Sequence, residues 1–172
     1  LRYSTNPTYW IYSISKYISD SIDDGVIVIK PLGVNARIEK NNGVNKLVIL
    51  VVGETARADH FSLNGYEKET NPLLKQQDII NFTNMYSCGT STAVSVPCMF
   101  SVYDRKDYSY KKGASTENVL DVLAHTGYVN ILWRDNNSDS KGVALRVAYE
   151  DYKYSDMNTM CDNTECRDEG ML

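Results

Sequence analysis

The segment Lys46–Val52 (KLVILVV) constrains the fold more than any other part of the chain. A continuous run of branched apolar residues between polar flanks predicts a central strand covered on both faces, the habit of parallel α/β sheets. Gly53 and Glu54 then fall at its carboxyl end, where such sheets gather their ligands. Ser115 is predicted to cap a helix that has Glu117 in its first turn, turns Val119, Leu120, Leu123 and Ala124 inward, and stops at Gly127. Tyr128–Trp133 reads as a second strand, with Arg134–Lys141 as the polar loop beyond it. Strand, helix and strand in that order predict an α/β layered domain.

Before this unit, Tyr9–Ile22 sets Trp10, Ile11, Ile14, Tyr17, Ile18 and Ile22 on one face at helical spacing. That face suits either docking on the domain or a connecting helix lying near a membrane surface. Val26–Ile29 is expected to form a short strand before Pro31, and Thr70 or Asn71 to cap a short helix with Pro72 in its first turn. With 42% hydrophobic and 23% charged residues the composition is globular. A net charge of -4 without a basic stripe argues against a nucleic-acid partner. No apolar run approaches the ~20 residues of a membrane helix. The opening Leu-Arg-Tyr and the ending Gly-Met-Leu read as cut ends.

Four cysteines, Cys88, Cys98, Cys161 and Cys166, allow three pairings. Local pairing is the economical one, and disulfides would place the domain in an oxidising compartment. The alternative, four reduced buried thiols, stays open at this level.

Three segments carry chemistry. Glu54 at a strand end is a suitable oxygen ligand for zinc, although a solvated turn would use it equally well. Cys88–Cys98 (CGTSTAVSVPC) is rich in hydroxyls, and Pro97 suits a first helical turn. Its hydroxyls would therefore lie at or just before a helix N-terminus, which favours a phosphoryl group. A threonine there needs a base or a metal before it can act as a nucleophile. Arg134–Lys141 offers a Lys and an Asn close together after a strand, one able to bind a phosphate oxygen by charge and the other by hydrogen bond. An ordinary surface turn has the same composition.

Taken together and in order, Val51–His60 (VVGETARADH), Cys88–Cys98 and Leu132–Gly142 (LWRDNNSDSKG) resemble the phosphoethanolamine transferases of Gram-negative inner membranes. These belong to the alkaline phosphatase/sulfatase superfamily and include enzymes that confer polymyxin resistance by modifying lipid A. The resemblance runs from about Lys46 to Leu172. It implies a layered α/β sulfatase-like domain with a mainly parallel central sheet flanked by helices, of which residues 46–172 are the N-terminal half. Residues 1–45 would be the linker and connecting helix after a membrane domain missing from this chain.

By the same resemblance Glu54 and Thr92 are zinc ligands, and Thr92 is the threonine that carries phosphoethanolamine. Asn137 and Lys141 contact the substrate head group, and Cys88–Cys98 and Cys161–Cys166 are disulfides. The implied donor is phosphatidylethanolamine, the acceptor lipid A or another envelope group, and the location the periplasmic face of the inner membrane. Asp59-His60 matches no family ligand and is assigned a structural role, and His125 is read as a surface residue.

The chain departs from the family in lacking the downstream Asp-His pair, followed by Gly and Glu, that completes the zinc site. His60 and His125 are its only histidines. The expectation is therefore a fragment inactive alone. The competing readings are a phosphoglycerol transferase or sulfatase-like hydrolase of the same superfamily, and a non-catalytic envelope binding module. No Cys/Ser-x-Pro-x-Arg motif of the sulfatases is present.

Overall fold

The computed structural model describes residues 8–23, 27–39, 45–136, 140–153, 158–162 and 166–171. Four helices occur among them: α1 (Thr8–Asp23), α2 (Thr92–Phe100), α3 (Tyr110–Ala114) and α4 (Val119–His125). Strands β1 (Leu132–Asp135) and β2 (Ala148–Asp151) pair in parallel, with Leu132 opposite Ala148 and Asp135 opposite Asp151. Single 3-10 turns at Ala58–His60, Ser62–Asn64, Leu74–Gln76 and Asp168–Met171 complete the described elements.

The parallel pair bears out an α/β arrangement, but several boundaries move. Lys46–Val52 forms no strand, and Leu47 to Val51 are each 68–86% exposed. Branched residues favour a pleated, covered surface, yet a strand exists only where a neighbour takes up its hydrogen bonds. Among the described residues no such neighbour stands beside this run. Val52 alone turns inward, against the core. The expected strand over 128–133 begins four residues later, so Arg134 and Asp135 belong to β1 and not to the loop.

The cap of α4 is Asn118, not Ser115, which instead ends α3. Asn118 accepts from Leu120 N at 2.8 Å, while Asp121 accepts from Asn118 N at 2.7 Å, a reciprocal capping box. Leu120 is buried as expected, whereas Val119, Leu123 and Ala124, also expected inward, are exposed. Gly127 follows at φ +69°, the left-handed geometry that ends helices. After Pro72 the helix is only the 3-10 turn Leu74–Gln76, with Lys75 N bonded to the Asn71 carbonyl at 3.0 Å.

Helix α1 has the expected extent. Its described apolar side chains Trp10, Ile11, Tyr12, Ile14, Tyr17 and Ile18 are all exposed, which gives the docked reading no support. Beyond it, the expected strand over 26–29 reduces to one parallel bridge between Lys30 and Thr116, and Val26 lies outside the described residues. Lys30 donates to the Ser115 carbonyl and accepts from Glu117 N, but Pro31 has no N–H to continue a ladder. The Glu117 carboxylate then takes Leu32 N at 2.7 Å and His125 Nε2 at 2.8 Å. His125 therefore lies at the surface, as expected, but holds the entering chain through Glu117.

The core is Phe100, Leu120 and Val143, with Val52, Val96, Ile131, Trp133 and Val147 packed around it. Phe100 meets Trp133 edge-on, with ring centroids 5.5 Å apart. Asp121 is 5% exposed and takes both Nε and Nη2 of Arg146 at 2.6 Å. Burial alone would raise the Asp121 carboxyl, but Arg146 and the Asn118 N–H outweigh it and hold the pKa below its ordinary value. Because the folded pKa is the lower one, this stabilisation is complete at neutral pH and lost as pH falls through that pKa. Removing one member of such a buried pair costs about 3 kcal/mol. Asp121→Ala is expected to lose that much in urea unfolding at pH 7, and the gap to wild type should narrow below about pH 4.

Candidate active site

Two chain segments far apart in sequence meet at the carboxyl end of the apolar run. Val52 packs against the core cluster to which Phe100 of α2 belongs, and Val96 of α2 packs against the same cluster. Thr92 lies one helical turn before Val96, on the same side of α2. Glu54, two residues past Val52, therefore arrives at the first residue of the helix. The Thr92 hydroxyl donates to Glu54 Oε2 at 3.2 Å across a separation of 38 residues. Thr55, at φ +51°, donates its hydroxyl to the other carboxylate oxygen at 2.5 Å. Thr55 was not singled out by sequence, where it reads as one more polar residue of a turn.

The loop before Thr92 is fixed at both ends. Cys88 is bonded to Cys98, and Cys98 is buried in the α2 face that enters the core. Ser91 caps the helix with its backbone, its carbonyl accepting from Val94 N at 3.0 Å and Ser95 N at 2.9 Å. A Cβ on Gly89 would stand 3.0 Å from Val94 Cγ1, so the loop lies close against the helix it precedes. The hydroxyls sit at the helix N-terminus as expected. Pro97 does not: it is the sixth residue of α2, where it removes the N–H that would have met the Ala93 carbonyl. Helix α2 starts earlier because Ser91, not the residue before Pro97, provides the turn into it.

Of the other residues, Lys141 lies in the turn before β2 at φ +53°. Asn137 lies outside the described residues. Cys161 and Cys166 are bonded to each other and form an antiparallel bridge. Asp59 and His60 are engaged within their own turn. Asp59 accepts from Arg57 Nε at 3.0 Å and Nη2 at 2.6 Å and shares a hydrogen bond with His60 Nδ1 at 3.0 Å. These contacts, Arg57 first, hold the exposed Asp59 carboxyl well below the usual carboxylate range. The His60 ring also lies 4.8 Å from that of Tyr66.

The Glu54 carboxylate and the Thr92 hydroxyl are oxygen donors of the kind zinc accepts, and they face one another. Among the described residues no group of three or more His, Cys, Asp or Glu side chains is placed to hold a metal. The pair fits part of a coordination shell, and a full one takes three or four protein ligands. A groove of about 490 Å³ beside Ala124, Ile131, Leu132 and Val147 is lined by none of the residues of this site. No described helix is long and apolar enough to cross a membrane.

Comparison with known proteins matches residues 46–172 to the sulfatase family model. The chain is 46% identical, over an alignment 192 positions long, to phosphatidylethanolamine transferase Mcr-2 of Escherichia coli, covering 100% of this chain and 34% of that protein. Phosphoethanolamine transferase EptA of Escherichia coli K12 is 45% identical over 130 residues, covering 76% of this chain and 24% of EptA. Among solved structures, the integral membrane protein lipooligosaccharide phosphoethanolamine transferase A of Neisseria meningitidis superposes with a TM-score of 0.85 at 37% identity. That match covers 96% of this chain and 31% of the other. The chain thus spans between about a quarter and a third of the length of these relatives. With the Sulfatase match over 127 of 172 residues, the chain belongs to the sulfatase family, as a partial domain of the fold shared with these phosphoethanolamine transferases.

Proposed function

We propose that this chain forms the nucleophile-bearing part of a zinc-dependent phosphoethanolamine transferase at the periplasmic face of the inner membrane. The observation that carries the reading is the Thr92–Glu54 contact at the N-terminus of α2. Neither residue alone implies chemistry, but a hydroxyl bonded to a carboxylate at the positive end of a helix is suited to attack on phosphorus. The names of the relatives support the group transferred, and the Neisseria meningitidis protein supports a lipooligosaccharide acceptor and a membrane setting.

In the proposed reaction the Thr92 oxygen attacks the phosphorus of phosphatidylethanolamine in line. The new bond joins that oxygen to phosphorus, the bond to the diacylglycerol oxygen breaks, and diacylglycerol leaves with a proton. The phosphoethanolamine on Thr92 is then taken by an oxygen of lipid A or of another envelope acceptor, which restores the hydroxyl. Glu54 orients the hydroxyl by accepting its hydrogen, and Thr55 orients Glu54. The helix N-terminus offsets charge on the phosphoryl oxygens, with Lys141 and Asn137 assigned to the head group. Zinc, held by Glu54 and Thr92 with ligands from the rest of the enzyme, would supply Lewis acidity that favours the alkoxide at neutral pH.

Thr92→Ala in the full-length enzyme should abolish the covalent adduct in intact-mass measurement, and Thr92→Ser should keep it. An adduct on the alanine variant would refute the assignment. Glu54→Gln is expected to slow adduct formation by about 100-fold or more, read in single-turnover experiments. The 172-residue chain by itself should not turn over a fluorescent phosphatidylethanolamine analogue, with or without added zinc. Turnover by that chain would show that its own residues complete the site.

A further inference from the structure

Thr55 holds a backbone angle that its side chain resists. Its φ of +51° lies in the left-handed region, which a β-branched residue seldom enters unless its surroundings impose it. Glycine would take that angle freely. Outliers of this kind gather where the strain serves a site.

The turn around Thr55 is fixed at both ends. Val52 packs against the core cluster, and the Ala58 carbonyl accepts from Asn64 Nδ2 at 2.9 Å. Asn64 is itself held, its Oδ1 accepting from Asn81 Nδ2 at 2.9 Å. Further on, the His60 carbonyl accepts from the Thr70 hydroxyl at 2.8 Å. Five residues, 53–57, must therefore carry the chain from the core to this braced segment, and the positive φ falls at the middle one.

That angle has a chemical result. It brings the Thr55 hydroxyl back onto the residue before it, where it donates to Glu54 Oε1 at 2.5 Å. The Thr92 hydroxyl donates to the other oxygen, Oε2, at 3.2 Å. The carboxylate is thus divided between two hydroxyls, one from the turn and one from the start of α2. Oε2 is the oxygen bonded to Thr92, so an ion shared by Glu54 and Thr92 would be held from Oε2.

We infer that Thr55 is a positioning residue for the metal: its hydroxyl occupies Glu54 Oε1, presents Oε2 alone to zinc, and so sets the affinity of the site for zinc. The inference deepens the proposed function and rests on its reading of Glu54 as a zinc ligand. A carboxylate tied at one oxygen is already oriented, whereas a free one must be ordered by the ion as it binds. Loss of a hydrogen bond behind a metal ligand weakens metal binding by about 10- to 100-fold.

The test uses the full-length enzyme, with zinc ion alone as the probe and binding read by competition with a chromophoric chelator. Thr55→Val keeps the branched shape, removes the hydroxyl, and should bind zinc about 10- to 100-fold more weakly. Thr55→Ser keeps the hydroxyl and should bind as the wild type does. Thr55→Gly accepts the positive φ without a hydroxyl and should bind as weakly as Thr55→Val. Because Thr55 acts through Glu54, Thr55→Val should add nothing to the loss caused by Glu54→Ala.

Wild-type zinc affinity in Thr55→Val, where Glu54→Ala has lost it, would overturn the inference and leave Glu54 as a ligand. Unchanged affinity in Glu54→Ala would remove the ligand reading, and this inference with it. Wild-type affinity in Thr55→Gly, or a loss in Thr55→Ser equal to that in Thr55→Val, would overturn the role of the hydroxyl. Should Thr55→Val not fold, equal affinities in Thr55→Gly and Thr55→Ser would by themselves overturn it.

Discussion

The meeting of Phe100 with Val52, Leu120, Val143 and Trp133 is the constraint on which the arrangement depends. Phe100 ends α2, Val52 ends the apolar run, Leu120 sits in α4 and Trp133 in β1. One small apolar cluster thus fixes the relative positions of four segments spread over some eighty residues. Deleting a buried aromatic such as Phe100 costs about 3–5 kcal/mol, a large share of the stability of a domain this size. The polar contacts of the site are weak by comparison. A 3.2 Å bond between an exposed carboxylate and a hydroxyl would not bring Glu54 to Thr92; the packing behind it does.

Disulfides and polar anchors extend this core outward. Cys98 carries the Cys88 loop on the buried face of α2, and the loop delivers the hydroxyls to the start of the helix. Asn118 and Asp121 do similar work at α4. Asn118 Nδ2 donates to the Val143 carbonyl at 2.8 Å while Asp121 holds Arg146, so the stretch after Lys141 is tied to the helix at two points.

How much of this the sequence discloses differs from element to element. The α/β order, the extent of α1 and the place of the hydroxyls at a helix start follow from local pattern, because each depends on residues close in the chain. Local pairing of the cysteines was only the economical choice, and Glu54 and Thr92 were brought together by resemblance alone. Nothing in a 38-residue separation specifies a 3.2 Å contact. Lys46–Val52 shows the limit most clearly: its composition asks for neighbouring strands, and composition cannot supply them. At α4, Ser115 and Asn118 are both good caps three residues apart. The decisive signal was Asp121 three residues beyond Asn118, which closes the reciprocal bonds. Strand β2 (AYED) is short and half polar, so it has no periodicity to read, and its pairing with β1 defines it.

The clasp at Leu32 has a mechanical meaning. Three hydrogen bonds fasten residues 30–32 to the start of α4: two through the Lys30 backbone and one through the Glu117 carboxylate, which His125 also grips. A pull or twist delivered along α1 is therefore taken by α4 and the core beneath it before it travels on to Val52.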